Sequence, residues 1–247
     1  MEYLRIYELY SLSLSYLGEF ANYLQLQNQI VKINEMVLPV AHPSRLNSQH
    51  ELASAYVELR ETENAIELLG QVVKLREELP VADPLLLGSQ HELARAYLVN
   101  DQAEKAIKIL EQVVRIREEV LSIANPGRLT SQQVLGVAYY RNGQVDKAME
   151  LLEKVLKIRE GVLPITHHDQ LILQHELATI YHTTGQVDKA TELLEQVVKI
   201  REEVLHIGNY YQPWSQHELA FIYNANGQAD KAIELLEEVV KIRQERL

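Results

Sequence analysis

Apolar residues recur along this chain at helical spacing, in two alternating stripes. In one, Leu52, Ala55, Tyr56 and Leu59 fall at i, i+3, i+4 and i+7; in the other, Ala190, Leu193, Leu194, Val197, Val198 and Ile200 line one face. This is the period of a helix buried on one side, and no segment alternates with the period of two that a strand needs. Glu195 and Lys199 sit at i and i+4 on the outer face in the favourable order. Punctuation lies where helix pairs require it. Gly143, Gly185 and Gly227 can take the left-handed conformation that ends a first helix, and Asp146, Asp188 and Asp230 place a carboxylate in the first turn of the second. Asp83-Pro84 and Asn125-Pro126 read as an N-cap followed by proline at the first helical position.

The stripes belong to a repeated unit. The phrase QHELA begins at Gln49 and returns at 90, 174 and 216, with the variant QQVLG at 132, in steps of 41, 42, 42 and 42 residues. Tyr56, Tyr97, Tyr139, Tyr181 and Tyr223 follow the phrase, and Ala65, Ala106, Ala148, Ala190 and Ala232 stand nine residues further on. A worn first copy precedes them: Gln29 to Ile33 aligns with QVVKL at 71–75, Gly18 falls at the turn, and its first helix covers about residues 3–16. The expectation is one all-α array, an α-α superhelix of about six repeats and twelve antiparallel helices. Its repeats fall at approximately 1–38, 43–79, 84–121, 126–163, 168–205 and 210–247, the first a degenerate N-terminal cap. The chain stops at Leu247, where the last second helix should end and with no matching cap, so a piece of something longer is expected.

The Leu177-Ala178, Tyr181 and Ala190 order, recurring over about residues 44–247, resembles the tetratricopeptide repeat. That family's usual period is about 34 residues. A 42-residue period with KIREEVL before the loop is similar to the kinesin light chain subgroup, and the loop phrase from Ala41 to His50 looks closer still to C-terminal repeats of fungal NLR-type (NACHT/NB-ARC) signalling ATPases. The resemblance implies a non-catalytic module that binds a peptide or protein in a concave groove, as sensor or scaffold of a larger signalling protein, or as a kinesin light chain-like cargo adaptor. The chain has no G-x-x-x-x-G-K-[ST] loop to hold the nucleotide of such an ATPase.

Composition narrows the classes. With 24 Lys and Arg against 35 Asp and Glu, the formal charge of −11 argues against a nucleic-acid partner. There is no cysteine, which removes disulfides, thiolate metal sites and thiol nucleophiles. No stretch approaches the roughly 20 apolar residues of a membrane span, and the N-terminus has no signal-peptide character, so a cytoplasmic protein is expected.

Candidate chemistry is sparse. His50, His91, His175 and His217 are each followed by Glu, but the second His of H-E-x-x-H is replaced by Ser54, Arg95, Thr179 and Phe221. Neither metal, cofactor nor catalytic residues are expected, and the histidines read as structural or groove-lining. The glutamates of the second helices and the recurring Arg76, Arg117, Arg159, Arg201 and Arg243 read as a solvated outer face. In the family resembled, first helices line the groove, with ligand-facing places at the repeated His and at three before, four, seven and eight after it. This implies His91, Arg95, Tyr140, Arg141, His175, His182, Trp214, His217 and Phe221 as ligand-binding residues. The arginines suggest an acidic segment as ligand, and Trp214 and Phe221 an aromatic or aliphatic anchor on it. End-to-end self-association of a structural repeat module is the alternative.

Overall fold

A computed structural model of the chain describes residues 20–204 and 211–244. The expected first helix at 3–16, with Gly18, lies outside the described residues. Among those described, all elements are helices. The first unit, ending at Asn142, holds α1 (Phe20–Val37), α2 (Pro43–Glu58), α3 (Thr62–Arg76), α4 (Pro84–Val99), α5 (Ala103–Val120) and α6 (Pro126–Arg141). The second, beginning at Gly143, holds α7 (Val145–Val162), α8 (His168–Thr183), α9 (Val187–Val204), α10 (Tyr211–Ala225) and α11 (Ala229–Gln244). Within each unit every helix packs on its neighbours in the chain. First helices of successive repeats also touch, α4 against α2 and α6 in one unit and α8 against α10 in the other.

The expected caps form. The Asp83 carboxylate accepts from Leu85 N at 2.8 Å and the Asn125 amide oxygen accepts from Arg128 N at 3.2 Å. Two further caps are imidazoles: His42 Nδ1 accepts from Ser44 N at 3.2 Å and His167 Nδ1 from Asp169 N at 3.3 Å. Gly143, Gly185 and Gly227 end first helices at φ 75°, 78° and 74°. The same left-handed place in the two earlier repeats is held by Arg60 (φ 60°) and Asp101 (φ 54°), which carry a Cβ where glycine carries none.

The repeat's landmarks are its core. Ala65, Ala106, Ala148 and Ala190 are fully buried, so the start of each second helix can lie close against its neighbours; Leu69, Leu110, Leu152 and Leu194 fill the level above. Leu59 is the exception to the expected stripe. It caps α2 and is exposed.

Candidate functional site

The repeated phrase turns out to connect repeats. Ser89 Oγ lies 3.4 Å from His50 Nδ1, Ser131 Oγ 3.2 Å from His91 Nδ1 and Ser215 Oγ 3.1 Å from His175 Nδ1, each serine belonging to the repeat after the histidine. His91 and His175 are buried, so packing between repeats takes them up and they offer a ligand no surface. Burial is the main reason both imidazoles are pushed down to about 4; nearby guanidinium groups, Arg117 for His91 and Arg201 for His175, push the same way. In sequence, the fourth repeat has Gln133 in place of the histidine and the fifth has Leu173 in place of the serine, so the two partners are exchanged together.

The recurring arginines complete this connection and overturn their assignment to the outer face. Arg76, Arg159 and Arg201 are buried, Arg159 to 2% exposure, and Arg117 is half-buried. Arg76 donates to Ser89 Oγ and to Leu85 O at 2.9 Å. Arg117 donates to Ser131 Oγ and to Gly127 O at 2.6 Å. Arg159 donates to Asp169 O at 2.8 Å, and Arg201 to Ser215 Oγ. Each guanidinium thus satisfies an acceptor at the start of the next first helix. The spacing carried this signal: Arg201 stands seven residues after Leu194, on the buried stripe. Arg243 has a side chain outside the described residues.

Several second-helix glutamates also have structural partners. Tyr139, Tyr181 and Tyr223 donate through their hydroxyls to Glu111, Glu153 and Glu195 at 2.8, 2.7 and 2.6 Å. Burial, with the carboxylate beside it, raises the Tyr139 hydroxyl to about 12. Gln132 and Gln216 donate to Glu118 and Glu202 at 2.6 and 3.1 Å.

What remains on the first-helix faces differs between units. In the first, Arg95 of α4 pairs with Glu58 of α2 at 2.8 Å and with Glu92 at 3.0 Å, and Ser54 donates to Glu92 at 3.2 Å. Two carboxylates hold the Arg95 guanidinium more firmly charged, although burial opposes this, and their charge cancels the positive field expected there. Arg141 is half exposed; it donates to Leu98 O at 2.8 Å and lies 3.9 Å from the exposed Asp101 carboxylate. Tyr140 is half-buried beside it in the sequence of α6. The column one residue after the histidine, Glu51, Glu92, Glu176 and Glu218, makes these faces more acidic than the variable positions alone suggest.

In the second unit, Phe221 of α10 is 56% exposed and meets the half-buried His182 of α8 edge-on, with ring centroids 5.6 Å apart. His217 is exposed. Phe221 and His217 border a cleft of about 250 Å³ between α10 and α11, floored by Ala220, Ala232 and Leu236. Trp214 lies in α10, with a side chain outside the described residues. Among the described residues no three His, Asp or Glu side chains are placed to hold a metal ion, and no helix is long and apolar enough to cross a membrane.

Known proteins share this architecture. The sequence profile of the tetratricopeptide repeat matches residues 85–161 and 169–245, and a second profile of the same repeat matches 45–79. No curated protein matches the chain. Among solved structures, nearly identical TPR-like repeats from Podosopora anserina, described as kinesin light chain-like, are 48% identical; the match covers 83% of this chain and 99% of that one at TM-score 0.71. BtubC (BKLC) from P. vanneervenii, at 17% identity and TM-score 0.71 over 93% of this chain and 90% of its own, shares the fold. So does a Rap protein solved with competence and sporulation factor, at 13% identity and TM-score 0.70 over 98% and 75%.

Proposed function

The chain belongs to the tetratricopeptide-repeat family, and from that premise we propose that it is a non-catalytic module binding a segment of a partner protein on its first-helix faces. The observation that supports this most is Phe221. An aromatic ring 56% exposed, held edge-on by His182 and bordering an apolar cleft, has the character of a binding hot spot rather than of a solvated helix surface. The ligand feature it fits is a large aliphatic or aromatic anchor. An acidic segment is the less supported half of the reading, because a ligand carboxylate would have to displace Glu58 from Arg95. The 48% identity to kinesin light chain-like repeats favours an adaptor. A sensor region of a signalling ATPase is supported only by the loop phrase at 41–50, and a nucleotide-binding domain in the same reading frame would favour it instead.

The test is fluorescence anisotropy with peptide pools that differ in net charge and in the presence of one large apolar residue. Binding should require the apolar residue and weaken at least tenfold with Phe221→Ala, a loss of about 1.4 kcal/mol or more. Binding unchanged by Phe221→Ala and by Arg95→Ala would refute the first-helix faces as the site.

A further inference from the structure

The tyrosine that follows each repeated phrase has a recurring setting, and one repeat departs from it. Tyr181 and Tyr223 each carry a lysine over the ring, Lys189 and Lys231, with Nζ 5.1 Å from the ring centre. Each hydroxyl donates to a glutamate of the preceding second helix, Glu153 and Glu195. Tyr97 of α4 keeps the lysine, Lys105 at 5.2 Å, which is anchored by donation to Gln102 Oε1 at 2.6 Å. It lacks the carboxylate. Gly70 of α3 stands in the glutamate's place, and a Cβ there would meet nothing within 4 Å. The Tyr97 hydroxyl has therefore lost the acceptor that later repeats supply, and the space where that side chain would start is open. Gly70 lies in the interior of α3, where glycine weakens a helix, and no neighbour is close enough to require it.

The charge around this gap has also changed sign. In the second unit a groove of about 360 Å³ between α9 and α11 is bordered by three carboxylates, Glu195, Glu202 and Glu234, and two ammonium groups, Lys199 and Lys231. At the equivalent places on α3 and α5, Gly70 and Lys108 replace the first and third glutamates, and Lys74, Glu77 and Lys105 are kept. One carboxylate thus faces three ammonium groups. All three lysines are exposed, and among the described residues none of them is in an ion pair. The step before has Asn28 and Asn64 where this one has Gly70 and Lys105, so the basic notch belongs to a single step of the array.

We propose that this notch binds an acidic side chain of a partner protein, its carboxylate accepting from the Tyr97 hydroxyl where Glu111, Glu153 and Glu195 accept in later repeats. Lys105 and Lys108 flank the incoming group and supply a positive charge that the second-unit groove lacks. The chain itself forms the expected bond three times, at 2.8, 2.7 and 2.6 Å. A protein side chain fits better than a free acid, because the lysines are exposed and do not enclose a small molecule. The notch lies among the second helices of the first unit and does not rest on the Phe221 cleft.

The experiment is fluorescence anisotropy of the intact chain with a short labelled peptide of alternating Glu and Ser, and with the same peptide carrying Gln for Glu. Saturable binding of the Glu peptide alone is expected. Gly70→Glu restores the repeat's own carboxylate and should weaken binding at least tenfold; because it removes a helical glycine, it should raise the melting temperature rather than unfold the chain. Lys108→Glu should also weaken binding at least tenfold and Tyr97→Phe severalfold, whereas Phe221→Ala and Arg95→Ala should leave it unchanged. Those two variants, and a probe without large apolar residues, let this site and the first-helix faces fail separately. No saturable binding, equal binding of the Gln peptide, or binding lost with Arg95→Ala but untouched by Gly70→Glu and Lys108→Glu overturns the proposal. A lower melting temperature for Gly70→Glu also overturns it, since the space would then be filled. So does displacement of the peptide by succinate at equal concentration, which would make a free dicarboxylate the occupant.

Discussion

Acid should loosen this protein well above the range in which its carboxylates titrate. His91 and His175 are neutral and buried, each held down to about 4 from an ordinary 6.5. Above pH 6.5 the imidazoles are neutral in both the folded and the unfolded chain and cost nothing. As the pH falls below 6.5 the unfolded chain takes up protons that the folded one refuses, so stability declines, and the decline levels off near pH 4. At about 1.4 kcal/mol per pH unit, each histidine removes at most about 2 kcal/mol by pH 5 and about 3 kcal/mol by pH 4. His50, lowered chiefly by burial against the pull of Glu92 and Glu51, acts in the same direction. The assay is urea unfolding followed by far-ultraviolet circular dichroism between pH 7.5 and 5, where carboxylates stay ionised. The repeats themselves supply a reference substitution, since the Gln133 and Leu173 pair stands where others have His and Ser. A variant with His91→Gln, Ser131→Leu, His175→Gln and Ser215→Leu should lose most of the slope between pH 6.5 and 5. A slope equal to that of the wild type would refute the argument.

Three further outcomes are expected. Arg201→Ala should destabilise the chain by about 1–3 kcal/mol, because it takes the charged donor away from the buried Ser215 hydroxyl, whereas an outer-face arginine would change it by under about 0.5 kcal/mol; denaturant midpoints distinguish the two. Leu152→Ala, at a site with no exposed surface, should cost about 2–5 kcal/mol in the same measurement. Arg60→Gly and Asp101→Gly, at left-handed positions that three other repeats give to glycine, should each raise stability by about 0.5–1 kcal/mol, visible as a higher melting temperature; a decrease in both would show that their side chains contribute more than the backbone strain costs.

The helices and their ends were legible in the chain because they depend on local chemistry. An i, i+3, i+4 stripe, a glycine able to take positive φ and an Asx-Pro pair decide helix, stop and start without reference to distant residues; the stripe recurs every 41 or 42 positions, and the glycine and the Asx-Pro pair mark the repeats that carry them. The interior polar groups were not read in the same way. Arg201 lies on the buried stripe and still looks like a surface residue, since a charge is buried only when a partner waits, and its partner Ser215 comes from the next repeat. The histidines are similar: the residue type permits a ligand or a lining, and only the serine arriving from the first helix of the next repeat at 3.1 Å makes His175 structural. Arg95 is the reverse case, a plausible attractor for carboxylates until packing of α4 on α2 brings Glu58 to 2.8 Å. The sequence by itself therefore determined the period, the helix boundaries and the family. Stacking of one repeat on the next decided which of the recurring polar residues hold repeats together and which side chains, like Phe221, are left outside, because those roles depend on neighbours in the next repeat, 10 to 40 positions away.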